Sequence, residues 1–147
     1  MQVSGKVVKL FVSQLGSSER LEQEQLFLDA KGIVSDKFYD KDMDRSILIT
    51  AIDSYQLAEE NGIAMRYGLL GENILIDFNP YALAPGTQLQ IGETVLIEIS
   101  QPCTICNHLS VVDKKLPKLL KEDRGIFAKT IHPGTIASGD PITILHA

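Results

Sequence analysis

The chain has 147 residues, 44% of them hydrophobic, enough for one domain with its own core and no need of a disulfide or metal to fold. Its formal net charge of −5 argues against general nucleic-acid binding, which calls for a basic face. No apolar run approaches the ~18 residues of a membrane span. The opening stretch Met1–Ser13 mixes charges into its apolar pattern and lacks a cleavage signature, so the expectation is a cytoplasmic, reducing setting.

Val3 to Val12 alternates and predicts a first strand, with Gly5 weakening its start or marking a bulge. Ser13 to Gln25 is polar and reads as a loop or an edge hairpin. Gln25 to Ala30 is a second short strand, and Lys31-Gly-Ile-Val-Ser-Asp36 turns out of it. Lys37 to Asp44 is highly charged and reads as a surface loop. Arg45 to Ala51 is a third strand, buried by its apolar run. A helix follows. Asp53 stands as its N-cap with Gln56 at N3, Ile52 and Leu57 take the staple positions, and Asn61-Gly62 ends it.

Gly71-Glu-Asn73 is a tight turn before the strand Ile74–Ile76. Thr87–Ile91 and Thr94–Ser100 read as a hairpin around a two-residue Gly92-Glu93 loop, glycine first suiting a type II′ turn. Pro117 at a first helical position, among Leu116, Leu119 and Leu120, predicts a short second helix. Ile126–Ile131 is a strand, His132 to Asp140 a long turn, and Pro141–Leu145 the last strand. Many short strands with one or two short helices predict a mainly β fold, a closed or partly open β-barrel. No repeat or linker divides the chain, which reads as a single domain over residues 1–147.

Chemistry concentrates in Cys103-Thr-Ile-Cys106, which holds the only two cysteines, with His108 two residues on. A zinc site would take these two thiols and His108, but a structural site needs four ligands and there is no second pair. A thiol redox pair would sit at a helix N-terminus in a βαβ setting, and Asn107–Val112 does not read as helix. Two buried apolar cysteines are the plain alternative. Gly71-Glu72-Asn73 is by itself a turn, and Arg45 by itself a surface charge whose fork suits phosphate. Lys114, Lys115, Lys118, Lys121 and Arg124 read as a solvated helix face, or as a patch for an anionic ligand.

The ordered series Gly32-Ile-Val-Ser-Asp36, Asp44-Arg-Ser-Ile-Leu48, Leu70-Gly-Glu-Asn-Ile74, Pro85-Gly-Thr-Gln-Leu-Gln-Ile-Gly92, Leu96-Ile-Glu-Ile-Ser-Gln-Pro102 with Cys106, Gly125-Ile-Phe-Ala-Lys129 and Gly134-Thr-Ile-Ala-Ser-Gly-Asp140 resembles the MOSC domain. This is the C-terminal module of molybdenum-cofactor sulfurases, also found in small stand-alone bacterial proteins. The resemblance implies a barrel-like β domain whose working cysteine, matched by Cys106, carries sulfur as a persulfide or ligates the molybdenum of a molybdopterin cofactor. It implies Cys103 as a neighbouring or resolving thiol. It also implies a cofactor site drawn from Asn73, Arg45, Glu72, Lys129 and His108. Ser35 stands where relatives usually carry glycine, and Ile105 where an arginine commonly precedes the cysteine. The chain contains no aminotransferase-like domain and no evident pyridoxal phosphate site. The implied partners are therefore a small-molecule cofactor or sulfur donor, and a redox or sulfurase protein. The activity would be sulfur transfer or a part in a molybdenum-dependent oxidoreductase. The other readings are a non-catalytic partner module of the same fold and a Cys-x-x-Cys thiol redox protein.

Overall fold

The computed structural model describes residues 2–17, 19–104 and 109–145. Eleven strands run in chain order: β1 (Gly5–Ser13), β2 (Arg20–Gln23), β3 (Gln25–Asp29), β4 (Gly32–Ile33), β5 (Ile47–Ala51), β6 (Ile74–Ile76), β7 (Gln88–Ile91), β8 (Val95–Pro102), β9 (Ile126–His132), β10 (Gly134–Ala137) and β11 (Pro141–Leu145). Three short helices interrupt them: α1 (Ile52–Glu60), α2 (Leu109–Val112) and α3 (Leu116–Leu119). None is long and apolar enough to cross a membrane.

The main sheet takes the order β11-β7-β8-β9-β5-β6-β1-β2. Antiparallel pairing of β1 with β11, Gly5 opposite Ile142, closes seven of these strands into a barrel and leaves β2 on the rim against β1. Closure removes the exposed edges that an open sheet would present. The barrel is filled by side chains alternating inward, among them Leu10, Ile47, Ile49, Ile74, Ile97, Ile126 and Ile142. The outward set makes two smaller cores. Leu75 packs with Tyr55 and Ala58 of α1 and with Leu109, Leu116 and Leu120 of the later helices. Leu48 packs with Cys103 and Phe127.

The mainly β, closed-barrel expectation stands, with several local corrections. One parallel pair is present: β5 and β6 lie side by side, Ile49 opposite Ile74, with α1 as their crossover. Helix α1 starts at Ile52 behind Ala51, which makes no side-chain cap. Asp53 therefore lies inside the first turn, where its charge favours the helix dipole without capping a backbone N–H. The bulge in β1 falls between Val7 and Lys9 and not at Gly5. The β7–β8 loop has three residues, since Ile91 pairs directly with Val95. Arg45 belongs to a 3₁₀ turn, Met43–Arg45, ahead of the strand it was expected to begin. Leu109–Val112 is helical, and the long turn before β11 contains β10 paired with β3.

Candidate functional site

The turn leading into β6 fixes the geometry on the outer face of the barrel. Asn73 sits between β1 and β5 and bonds to both through its backbone: its N–H donates to Leu48 O (2.9 Å), and its carbonyl accepts from Phe11 N (2.8 Å). Its side chain repeats the bridge. Oδ1 accepts from Leu48 N (3.0 Å), and Nδ2 donates to Phe11 O (3.3 Å) and to Asp36 Oδ1 (3.2 Å). Asp36 is buried and also accepts from Ser13 N (2.6 Å), Ser13 Oγ (2.7 Å) and Phe38 N (3.1 Å). The chain arrives at Asp36 through Ser35, whose φ of +76° lies in the left-handed region. Glycine adopts that region without the steric penalty that an L side chain brings.

Around this joint lies a cavity of about 490 Å³. Its floor is apolar, made by Leu48, Leu70, Phe127 and Cys103. Its sides are cationic: Arg20 comes from β2, Lys37, Lys41 and Arg45 from the segment after Asp36, and Arg124 from the residue before Gly125. Among the described residues Asp42 is the one carboxylate in the wall. Asn73, Gly71 and Phe38 also line it. Cys103 is 4% exposed, a free thiol packed against Leu48 and Phe127, and its N–H donates to Gly125 O (3.0 Å). Arg45 lies over the Phe127 ring, 5.9 Å from its centroid, and 4.0 Å from Asp42 Oδ2.

Arg20 is half-buried, and its Nε donates to Gly71 O (3.3 Å). Gly71 has φ +88°, and a Cβ there would come within 3.1 Å of the Arg20 guanidinium. Burial lowers the Arg20 pKa from its ordinary value. The Asp36 and Glu72 carboxylates oppose this, and the Arg124 charge adds to it. Arginine stays charged under any such shift. Arg124 is only 6% exposed and is carried into the wall by a tether from α1. Ser54 Oγ donates to Asp123 O (2.6 Å), which leaves the Tyr81 hydroxyl to donate to Ser54 Oγ (2.7 Å) while accepting from Ala51 N (2.8 Å).

The fold therefore brings Cys103, Asn73 and Arg45 to one cavity. Cys106 and His108 lie outside the described residues. Glu72 and Lys129 are not in the cavity wall. Glu72 is 0% exposed and accepts from the Tyr55 hydroxyl at 2.6 and 2.8 Å and from Gly68 N at 3.2 Å. Lys129 on β9 reaches Glu98 on β8 (3.6 Å) and Asp44 in the 3₁₀ turn (3.7 Å). Among the described residues no cluster of three His, Cys, Asp or Glu side chains is placed to hold a metal.

Three cations, Lys37, Lys41 and Arg20, do not read as site residues in the sequence, and Arg124 does so only through the alternative of an anion patch. Lys37 and Lys41 looked like a solvated loop, Arg124 like part of a lysine-rich helix face, and Arg20 like a charge in a polar stretch. For Arg124 the usable signal was the adjoining Gly125, at the head of an apolar strand. A second, open cleft of about 550 Å³ lies beyond Tyr55, lined by Tyr67, Met65 and Arg66. Its Lys9 is occupied by Glu22 at 3.1 Å.

A family model described as the MOSC domain matches residues 29–143. Among solved structures, the YuaD protein from Bacillus subtilis superposes with a TM-score of 0.79 at 17% identity, covering 94% of this chain and 93% of that one. YiiM from Geobacillus stearothermophilus gives 0.77 at 17% identity over 97% and 75% of the two chains. YiiM from Escherichia coli gives 0.68 at 19% identity over 97% and 70%. At these identities the likeness shows the fold. No curated protein matches the chain.

Proposed function

Because the chain belongs to the MOSC domain family, we propose that its cavity binds the molybdopterin form of the molybdenum cofactor, with Cys106 as the thiol that ligates the metal or carries sulfur as a persulfide. The observation that carries this reading is the cavity's composition: five cationic side chains around an apolar floor that includes a cysteine.

The donor set suits the group. A pterin phosphate is a compact anion, and arginine forks match its oxygens with two parallel N–H···O bonds. Arg20 and Arg124 supply such forks from two elements, and Lys37, Lys41 and Arg45 add charge at the mouth. The flat pterin ring suits the apolar surface of Leu48, Leu70 and Phe127. When bound, the cofactor would supply redox and sulfur chemistry at a soft metal, for which thiolate is the matched ligand. The chain's own part is to hold the anion, orient the ring and keep water from the thiol face.

The runner-up is a partner module that has kept the fold without catalysis. The packing of Cys103 against Leu48 and Phe127 favours it, since that thiol serves as an apolar wall.

The test is expression in a host that makes the cofactor, followed by molybdenum analysis, pterin fluorescence after oxidation, and persulfide labelling. Wild type should retain cofactor or persulfide. Cys106→Ser should lose metal and persulfide while staying folded, and Arg20→Met with Arg124→Met should weaken pterin retention at least about tenfold, the scale of a lost hydrogen bond to a charged group. Blank results for wild type and variants alike would reject cofactor binding and sulfur carriage together.

A further inference from the structure

Glu72 lies in the motif turn yet is sealed from the cavity, with its oxygens taken by Tyr55 and Gly68. The Tyr55 hydroxyl in turn accepts from Gly68 N and Leu70 N, both at 3.1 Å. One buried phenol–carboxylate pair thus fixes the backbone of residues 68–72. That backbone presents the Gly71 carbonyl to Arg20 Nε.

The electrostatics run the same way. Arg20 and Arg124 share the cavity wall and repel each other, while Asp36 and Glu72 attract Arg20. The Arg20 guanidinium faces a like charge and is held from behind at Nε by Gly71 O (3.3 Å), with a longer bond from Nη1 to Glu19 O (3.5 Å). A fully buried carboxylate is costly to retain for stability alone.

We propose that Glu72 and Tyr55 are positioning residues for the anion site: they hold Arg20 in the cavity wall, facing inward, through the Gly71 carbonyl and the Glu72 charge. Glu72 acts on a bound anion only through Arg20. The proposal deepens the reading of the cavity as a ligand site and rests on it for its purpose, but its readout needs no cofactor.

The experiment follows Arg20 itself. Phenylglyoxal labels accessible guanidinium groups, and peptide mass mapping gives the rate at Arg20 separately from Arg124. The ¹⁵N–¹H signal of Arg20 Nε, assigned by its loss in Arg20→Met, reports the bond to Gly71. Glu72→Gln keeps shape and removes charge, and Tyr55→Phe removes only the phenol oxygen. In both, Arg20 should label about fivefold faster and its Nε–H should exchange with water faster by a similar factor, the scale of one net hydrogen bond. Leu89→Ala, in the barrel core away from the pair, should destabilise the fold and leave both readouts unchanged. If Glu72→Gln fails to fold, Tyr55→Phe carries the test alone. Folded variants whose Arg20 labels and exchanges as in wild type would overturn the proposal. A blank cofactor assay beside a loosened Arg20 would reject the functional reading and leave this one standing.

Discussion

Asn73 donates from Nδ2 to Asp36 Oδ1 across 3.2 Å, joining the turn before β6 to the segment that carries Lys37, Lys41 and Arg45. The same amide spans β1 and β5, so the cavity and the barrel share one joint. Both its N–H groups and one lone pair of its oxygen are already used. Asn73→Ala leaves the buried Leu48 N–H without its side-chain acceptor and Asp36 short of one of its four donors. The expected loss is about 1–3 kcal/mol, from the cost of unsatisfied buried groups. Urea unfolding checks it. A loss confined to ligand affinity, with stability intact, would show that the amide serves the ligand.

Ser35 stores backbone strain at φ +76°. An L-residue there costs roughly 1–2 kcal/mol, offset in part by the entropy glycine brings to the unfolded chain. Ser35→Gly should therefore stabilise the protein by about 0.5–1 kcal/mol. Ser35→Val should destabilise it, because a β-branched residue tolerates the region least. Denaturant midpoints at constant m-value decide the matter.

Burial pushes the Tyr81 phenol up to about 12, against an ordinary value near 10, although its bonds with Ser54 and Ala51 act the other way. Burial, with the Glu72 charge adding to it, also raises Tyr55. The unfolded chain then loses these protons at lower pH than the folded one. Stability is present in full below pH 10 and falls as pH rises toward 12 and beyond. For Tyr81 the loss is on the order of 2–3 kcal/mol. Thermal melts between pH 8 and 12 should show the decline, and Tyr81→Phe should flatten part of it. An unchanged slope in that variant would assign the alkaline loss to other groups.

Lys129 tests the boundary of the site. Its contacts are half-exposed ion pairs with Asp44 and Glu98, a class worth about 0.2–1 kcal/mol and weakened by salt. Lys129→Ala should cost no more than that, with the difference shrinking at high ionic strength. Cofactor retention should change less than twofold. Loss of the cofactor in this variant would return Lys129 to the binding site.

The barrel was legible because its strands alternate and are separated by glycine turns, as at Gly92 and Gly125. By themselves Asn73 reads as a turn residue and Arg45 as a surface charge, and only the ordered motif series set them together. Strand β10 was not legible, since Gly134–Ala137 carries one buried apolar residue, Ile136, and gains its order from pairing with β3. Helix α2 was too short for a periodic signal. The positions of Arg20 and Arg124 share one cause. Arg20 reaches the cavity because β2 pairs with β1, and Arg124 because the backbone of Gly125 bonds that of Cys103. Such a long-range pairing leaves no mark beside Arg20, and beside Arg124 only the glycine that follows it. The capping box at Asp53 failed for the opposite reason: the pattern was present, but the helix started directly from the end of β5.

Closure of the barrel through β1 and β11 has a kinetic consequence. The seam joins strands from opposite ends of the sequence, a contact of the kind that forms late because so much chain must be ordered first. The cavity is likewise gathered from β2 through β9. Arg20 and Arg124 meet in one cavity only through pairings that span the chain, so an anion bound by both would favour the fully folded molecule. Ligand would act after the folding barrier, slowing unfolding and leaving the folding rate almost unchanged.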